Sequence, residues 1–553
     1  MKLSVKIEEK NIPYLILFLF VVSSILYLNL DGVPLTHPGN IKAADPFYHA
    51  LAAESILDTK QWNYYDLYVS LGVEKASSVQ PPLYYLNTAI LTAFSGVPVW
   101  VTIYLLICLS AAFIILLVYL ITIELFENKK IAIIASVASA LPLPVNVWLY
   151  GLYIGLWLQV PSNMLMLTFF WLFIRYLKKS ESVNLFFMSL CITGVMLIHP
   201  QDLSILFLPS LFIAWKIFAD YLKKKNTQEF LKKSLIFSAI PLILLIVLLP
   251  KFLFVWTTYG NQQFLPGFYG FRENFFTRDY SGGLVFPDIL FIPYLILLAF
   301  IAGLVQILIN SKKYMVLIST LVYYFFITYI SAFIFKDPYY FVRIRTMTPF
   351  VILPIVAYGL YFFIIKPLKK FNLQEYISVI VIALIFIGFG ITQYNALVPK
   401  LQYEHISLDE WKAYEWIQKN TVKTDRVLFF GAVSQQEFLY TKRMVAFFEM
   451  DEYQRIYNDY IKTGEAPIVY KGTYGGDTLR AVHKVEESYW LYVTYPEPEP
   501  VLNLLDFNYV VFQNIGQQIT QANQVFANEF VNKYGFSLVY NKNGYVILKN
   551  GNR

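Results

Sequence analysis

Apolar residues fill long runs of this chain, and polar ones are confined to the breaks between them. The runs show neither the alternation of a half-buried strand nor the narrow stripe of a surface helix, so they predict helices that are apolar all round. A helix needs ~20 residues to cross a bilayer. Eleven runs approach that length: roughly 13–30, 97–122, 131–148, 152–174, 183–198, 202–219, 234–254, 285–309, 314–335, 346–365 and 375–395. A shorter stretch, "PPLYYLNTAILTAFSG" at 81–96, is bounded by Pro and Gly and reads as an interfacial helix or a twelfth span.

The pattern changes near residue 397. "LDEWKAYEWIQKNT" has the spacing of an amphipathic helix, while "RVLFF", "MVAFF", "PIVY", "YWLYVTY" and "YVVF" read as short strands. "FSLVYNKNGYVIL" sets Asn-Gly between two such runs, a hairpin signal. The expectation is a polytopic α-helical membrane protein of about 11 spans, with a transmembrane domain at 1–396, a first external loop at 31–96 and an external α/β domain at 397–553.

Charge sets the orientation. Lys2, Lys6 and Lys10 precede the first run, and "ENKK", "RYLKKSES", "DYLKKKNTQEFLKK", "NSKK" and "KPLKKFN" occupy every second loop. Lysine-rich loops stay on the cytoplasmic side, so the N-terminus is expected there. The segment 30–97, the turn at Tyr150, "HPQD" (199–202), 251–285, "KDPYYFVRIR" (336–345) and the C-terminal region are then external to the cell membrane. The first run is long and lacks a small-residue cleavage site, so it reads as an anchor.

Composition agrees: 57% of the 553 residues are hydrophobic and 15% charged. The net charge of +7 comes from loop lysines and implies no nucleic-acid partner. Cys108 and Cys191 both fall in apolar runs, so neither a disulfide framework nor a thiolate metal site is readable.

None of the runs has an ionisable residue near its middle, which argues against an ion-coupled transporter. The polar residues that need explaining gather instead on the expected external side: Asp45, His49, His199, Asp202, Arg272, Glu273, Arg278, Asp279, Arg343 and Arg345. Asp45 is either an N-cap, with Pro46 at the first helical position, or a general base or metal ligand at the membrane surface. His49, four residues on, shares its helix face. His199 and Asp202 either cap helix ends around Pro200 or contact substrate. Glu273 and Asp279 lie in a Gly- and aromatic-containing loop that is either an ordinary solvated loop or one suited to covering a substrate. Arg343 and Arg345 are interface anchors or a grip on phosphate, which the guanidinium fork fits.

These segments together resemble the GT-C superfamily of membrane glycosyltransferases. "ADPFYHALAAESIL" is similar to the first-loop acidic motif of the oligosaccharyltransferase catalytic subunit, and "QPPLYYL" to the matching segment of protein mannosyltransferase-like and lipid A sugar transferases. "VRIRTMTPFVILPIVAYG" resembles the arginine-bearing span that meets the donor lipid phosphate, and "DEWKAYEWIQKNT" with "RVLFF" the entry to the soluble domain. The chain departs from oligosaccharyltransferases at two places. Where Trp-Trp-Asp-Tyr-Gly should follow the "RVLFF" strand it reads "FFGAVSQQ", and "WLYGLYIGLWLQ" holds no second acidic pair.

The resemblance implies transfer of a sugar from a polyprenyl-phosphate or polyprenyl-diphosphate donor, held in membrane lipid, to a glycan, lipid or protein acceptor outside. Protein glycosylation and cell-envelope assembly are the processes that need such a step. Asp45 would deprotonate the acceptor, and Arg345 or Arg343 would neutralise the phosphate leaving group. His49, His199, Asp202 and Glu273 would contact sugar or a metal. The resemblance implies no obligatory metal and leaves room for one divalent cation, Mg or Mn. A divergent oligosaccharyltransferase acting on asparagine and a non-catalytic membrane scaffold of the same fold are the alternatives.

Overall fold

The computed structural model describes residues 44–61, 82–140, 158–259, 294–327, 347–368, 382, 384, 406–430, 440–447, 450–464, 469–471, 501–513, 516–542 and 544–553. The expected run at 13–30, most of that at 375–395 and the "YWLYVTY" strand lie outside these residues. The described chain forms two compact units by its own contacts. One comprises 1–31 and 105–401, the other 32–104 and 402–553.

The first unit is helical. Its long helices are α3 (Val99–Phe126, whose first turns belong to the other unit), α5 (Gln159–Lys179), α6 (Ser182–Ile198), α7 (Leu203–Lys224) and α8 (Thr227–Tyr259). Shorter ones are α4 (Lys129–Ser139), α9 (Tyr294–Ile309), α10 (Ser311–Phe325) and α11 (Thr348–Leu360), the last continued by a wider π turn at Tyr361–Ile365. Five stretches among the described residues are long and apolar enough to cross a membrane: Val99–Phe126, Gln159–Lys179, Leu203–Lys224, Thr227–Leu249 and Thr348–Leu368.

Among the described residues, the lysine-bearing breaks between helices become tight turns. Asn128 caps α4 by accepting from Lys130 and Ile131 N–H at 2.9 and 3.4 Å. Ser180 and Lys225 end α5 and α7 in the left-handed region, at φ 54° each. Helix boundaries depart from the expected runs mainly where polar residues continue a helix past its apolar part. α8 starts at Thr227 rather than 234, because "TQEFLKK" favours helix although it is charged.

Packing in this unit rests on close backbone approach. A Cβ built on Gly359 of α11 would lie 1.8 Å from the Ala299 carbonyl oxygen of α9, and one on Gly303 of α9 would lie 2.2 Å from the Ile355 carbonyl oxygen of α11. Glycine at both positions lets the two backbones touch. Next to Gly359 in α11, Tyr358 stacks on Phe126 of α3 at 4.3 Å between ring centroids.

The second unit holds α1 (Ala44–Thr59), α2 (Leu83–Ser95), the first turns of α3, and the C-terminal elements. Helix α12 (Leu408–Asn420) begins on a capping box. Ser407 Oγ accepts from Glu410 N–H at 3.1 Å, and Glu410 Oε2 accepts from Ser407 N–H at 3.4 Å. Then follow β1 (Arg426–Phe430), β2 (Met444–Phe447), α13 (Met450–Thr463), β3 (Val469–Lys471), β4 (Val501–Asn503), β5 (Tyr509–Gln513), α14 (Gly516–Tyr534), β6 (Phe536–Lys542) and β7 (Tyr545–Asn550).

Five strands form one mixed sheet in the order β2-β1-β5-β7-β6, and β3 pairs with β4 apart from it. The β1 pairings with β2 and β5 are parallel, and those of β7 with β5 and β6 antiparallel. Gly544 turns the β6–β7 hairpin at φ 82°, as the Asn-Gly signal requires. Helix α14 covers the sheet with Phe526 and Phe530, which meet Phe430 and Phe512 at 5.7–6.0 Å. Such aromatic pairs contribute about 0.5–1.5 kcal/mol each beyond their buried area.

Candidate functional site

Helix α1 begins at Ala44, two residues earlier than the Pro46 its sequence suggests, so Asp45 lies in the first turn rather than before it. One turn on, His49 is 3% exposed and its Nδ1 lies 2.9 Å from the Tyr85 hydroxyl. The neighbouring Tyr84 hydroxyl donates to the Ile103 carbonyl at 3.0 Å, at the start of α3. The "ADPFYH" and "QPPLYYL" motifs thus meet side chain to side chain, and α2 is pinned between α1 and α3. The buried imidazole with this partner ties α1 to α2.

Farther along α1, Glu54 and Asp58 meet a residue from the C-terminal elements. Lys442 Nζ lies 2.5 Å from Glu54 Oε1 and 3.4 Å from Asp58 Oδ2. Burial works against the ammonium, but the two carboxylates outweigh it and hold its pKa above the ordinary lysine value.

The second cluster belongs to the helical unit. A short turn, Pro200–Asp202, joins α6 to α7. Asp202 stands at the N-cap of α7 but makes no capping bond, which overturns capping as the job of its side chain. The carboxylate, 0% exposed, instead crosses to α5. It accepts from Gln159 Nε2 at 3.0 Å and from Ser162 Oγ at 2.5 Å. His199 Nδ1 stands 3.0 Å from the same Oδ2, off the line of a hydrogen bond, so the two meet as an electrostatic contact. A buried carboxylate served by two donors beside an imidazole is a costly arrangement at the end of apolar helices, and such residues mark function more often than packing.

Beside this cluster the helical unit encloses an apolar cavity lined by Phe126, Leu167, Phe170, Tyr323, Tyr324 and Ile355, among others. Tyr323 connects the two features, since its hydroxyl donates to the Ser204 carbonyl at 2.8 Å, just past Asp202.

The structure therefore joins His199 to Asp202 and places Asp45 and His49 on one helix. Glu273, Arg343 and Arg345 lie outside the described residues. Among the described residues no three His, Cys, Asp or Glu side chains gather as metal ligands, and both oxygens of Asp202 are already engaged. Gln159, Ser162, Tyr85 and Lys442 were not foreseen as partners. For the first two a signal existed: Gln159, Ser162 and Asn163 stand at i, i+3 and i+4, a polar face opening an otherwise apolar helix.

Three solved structures are similar along nearly the whole chain. The apo structure of ArnT from Cupriavidus metallidurans has a TM-score of 0.52 at 10% identity, over 96% of this chain and 97% of that one. The oligosaccharyltransferase AglB from Archaeoglobus fulgidus, in complex with an inhibitory peptide and a dolichol-phosphate, has a TM-score of 0.51 at 14% identity, over 98% and 74%. The Archaeoglobus fulgidus oligosaccharyltransferase tethered to an acceptor peptide containing the NVT sequon gives 0.51 at 11%, over 98% and 89%. These are GT-C superfamily membrane glycosyltransferases, and the chain has their fold. No curated protein matches it in sequence. Residues 11–416 match the model of a family of unknown function, DUF6541, and with the match spanning most of its length the chain belongs to that family.

Proposed function

We propose that the protein is a membrane glycosyltransferase that moves a sugar from a polyprenyl-phosphate or polyprenyl-diphosphate donor to a glycan, lipid or protein acceptor on the external face of the cell membrane. The observation that carries this reading is the GT-C fold along almost the whole chain. Asp45 takes the proton from the acceptor hydroxyl as the acceptor oxygen attacks the anomeric carbon. The bond from that carbon to the phosphate oxygen breaks, and the polyprenyl phosphate, or the polyprenyl diphosphate of a diphosphate donor, leaves with the electron pair. Arg345, with Arg343, meets the charge that develops on it. The apolar cavity among α3, α5, α7, α10 and α11 suits an isoprenoid chain and so supports a lipid-borne donor. In this reading the N-terminus is cytoplasmic, residues 397–553 form an external α/β domain, and no step requires a metal.

The similarity to AglB supports a second reading, transfer to protein asparagine. The "FFGAVSQQ" that follows the "RVLFF" strand, in place of Trp-Trp-Asp-Tyr-Gly, weighs against it. The test is release of polyprenyl phosphate from labelled polyprenyl-phosphate sugars by the purified protein mixed with detergent extract of its host membranes. The expected result is release coupled to label in an extract component. If none of a panel of hexose and pentose donors yields release, the reading fails. Label on asparagine would select the oligosaccharyltransferase alternative.

A further inference from the structure

Lys442 occupies an unusual position. Its backbone is in the left-handed region at φ 54°, a conformation disfavoured for a side chain with a Cβ. Its neighbour enforces it. Arg443 Nη2 donates to the Gln418 and Thr421 carbonyls at 2.7 Å each, Nε to Thr421 Oγ1 at 2.6 Å, and Nη1 to the Lys442 carbonyl at 2.8 Å. The guanidinium so fastens this segment to the last turn of α12, and Gln418 Nε2 donates back to the Tyr440 carbonyl. Two consecutive basic residues therefore do opposite jobs: Arg443 locks onto its own helix end, and Lys442 is thrown the other way onto α1.

There it meets two carboxylates one helical turn apart. The side chains of Lys442, Glu54 and Asp58 are 21%, 19% and 29% exposed, so the charges are partly desolvated, unlike ordinary surface pairs. Between them, Ser55 is fully buried. Glu54 lies nine residues, two and a half turns, after Asp45, so the two positions fall on opposite sides of the helix axis. A grip at Glu54 and Asp58 fixes the rotation and height of α1 without occupying the side of Asp45.

We infer that Lys442 is a positioning residue, a two-carboxylate clasp that seats the helix bearing Asp45 on the start of β2 and sets where that carboxylate stands. The inference rests on Asp45 being the base for its effect on chemistry, and on geometry alone for the clasp itself. Two readouts on the full-length purified protein keep these apart. The first is maleimide labelling of Ser55→Cys, with the native Cys108 and Cys191 buried in the apolar helices. Lys442→Glu should speed labelling by about tenfold through local opening of α1. Glu54→Lys added to Lys442→Glu should reverse most of that change, and Lys442→Arg should leave labelling slow.

The second readout is transfer kinetics. Lys442→Met should lower kcat by about 10–100-fold with KM for the lipid donor nearly unchanged, the cost of a misplaced catalytic group. Unaltered labelling in Lys442→Glu would overturn the clasp. Faster labelling with unchanged kcat would overturn its link to chemistry and leave a merely structural pair. If the unaltered protein transfers no sugar at all, the glycosyltransferase reading fails, and the labelling result still decides the clasp.

Discussion

At the residue scale, chemistry depends on partners that lie far apart in sequence. "HPQD" is visible as a polar break, and the position of Asp202 before α7 makes capping a reasonable expectation. Its real partners are Gln159 and Ser162, 43 and 40 residues earlier. No local pattern encodes such a separation, although the polar face at the start of α5 advertises that something must meet it. His49 is similar: its i+4 relation to Asp45 is legible, but its hydrogen bond to Tyr85 comes from a helix 36 residues on. Removing the Asp202 carboxylate strands two buried donors, each worth about 1–3 kcal/mol when unsatisfied. Asp202→Ala should therefore lower the melting temperature of the detergent-solubilised protein distinctly, and Asp202→Asn by less, since it keeps one acceptor oxygen. Equal melting of Asp202→Ala and the unaltered protein would show that the cluster does not hold α5, α6 and α7 together.

At the element scale, helix existence is written plainly, because a run apolar all round has few other fates. Ends are written less plainly, since a charged but helix-favouring stretch such as "TQEFLKK" extends α8 beyond its apolar part. In the C-terminal region the hairpin of β6 and β7 is legible from Asn-Gly. The parallel pairing of β1 with β5 is not, because about 80 residues separate Val427 from its partner Tyr509. Glycine marks where helices touch. Gly303 and Gly359 look like ordinary members of apolar runs, yet each meets the opposite helix's backbone. Gly359→Ala would place a methyl group where a carbonyl oxygen now stands. Overpacking of this kind costs about 1–3 kcal/mol. Thermal unfolding of that variant should begin earlier, with α9 and α11 forced apart. An unchanged unfolding curve would mean that the two helices separate freely.

At the scale of the whole molecule, the order of parts was legible: acidic first loop, Pro-Pro-Leu-Tyr-Tyr segment, apolar helices, mixed polar C-terminal region. Less legible was the grouping of residues 32–104 with 402–553 in one compact unit, which depends on the Lys442 pairs and on Trp411 lying edge-on to both Trp100 and Tyr440. That grouping makes the loop helix with Asp45 part of the same body as the β-sheet. In the proposed chemistry, Asp45 is the base. Asparagine keeps the size and shape of aspartate but cannot accept a proton. The most direct measurement is the initial rate of sugar transfer by purified Asp45→Asn protein, from a donor the unaltered protein uses, at matched melting temperature. A general base in that place predicts a loss of about 10²–10⁴-fold; an unchanged rate would contradict it and leave Asp45 as a residue that merely begins a helix.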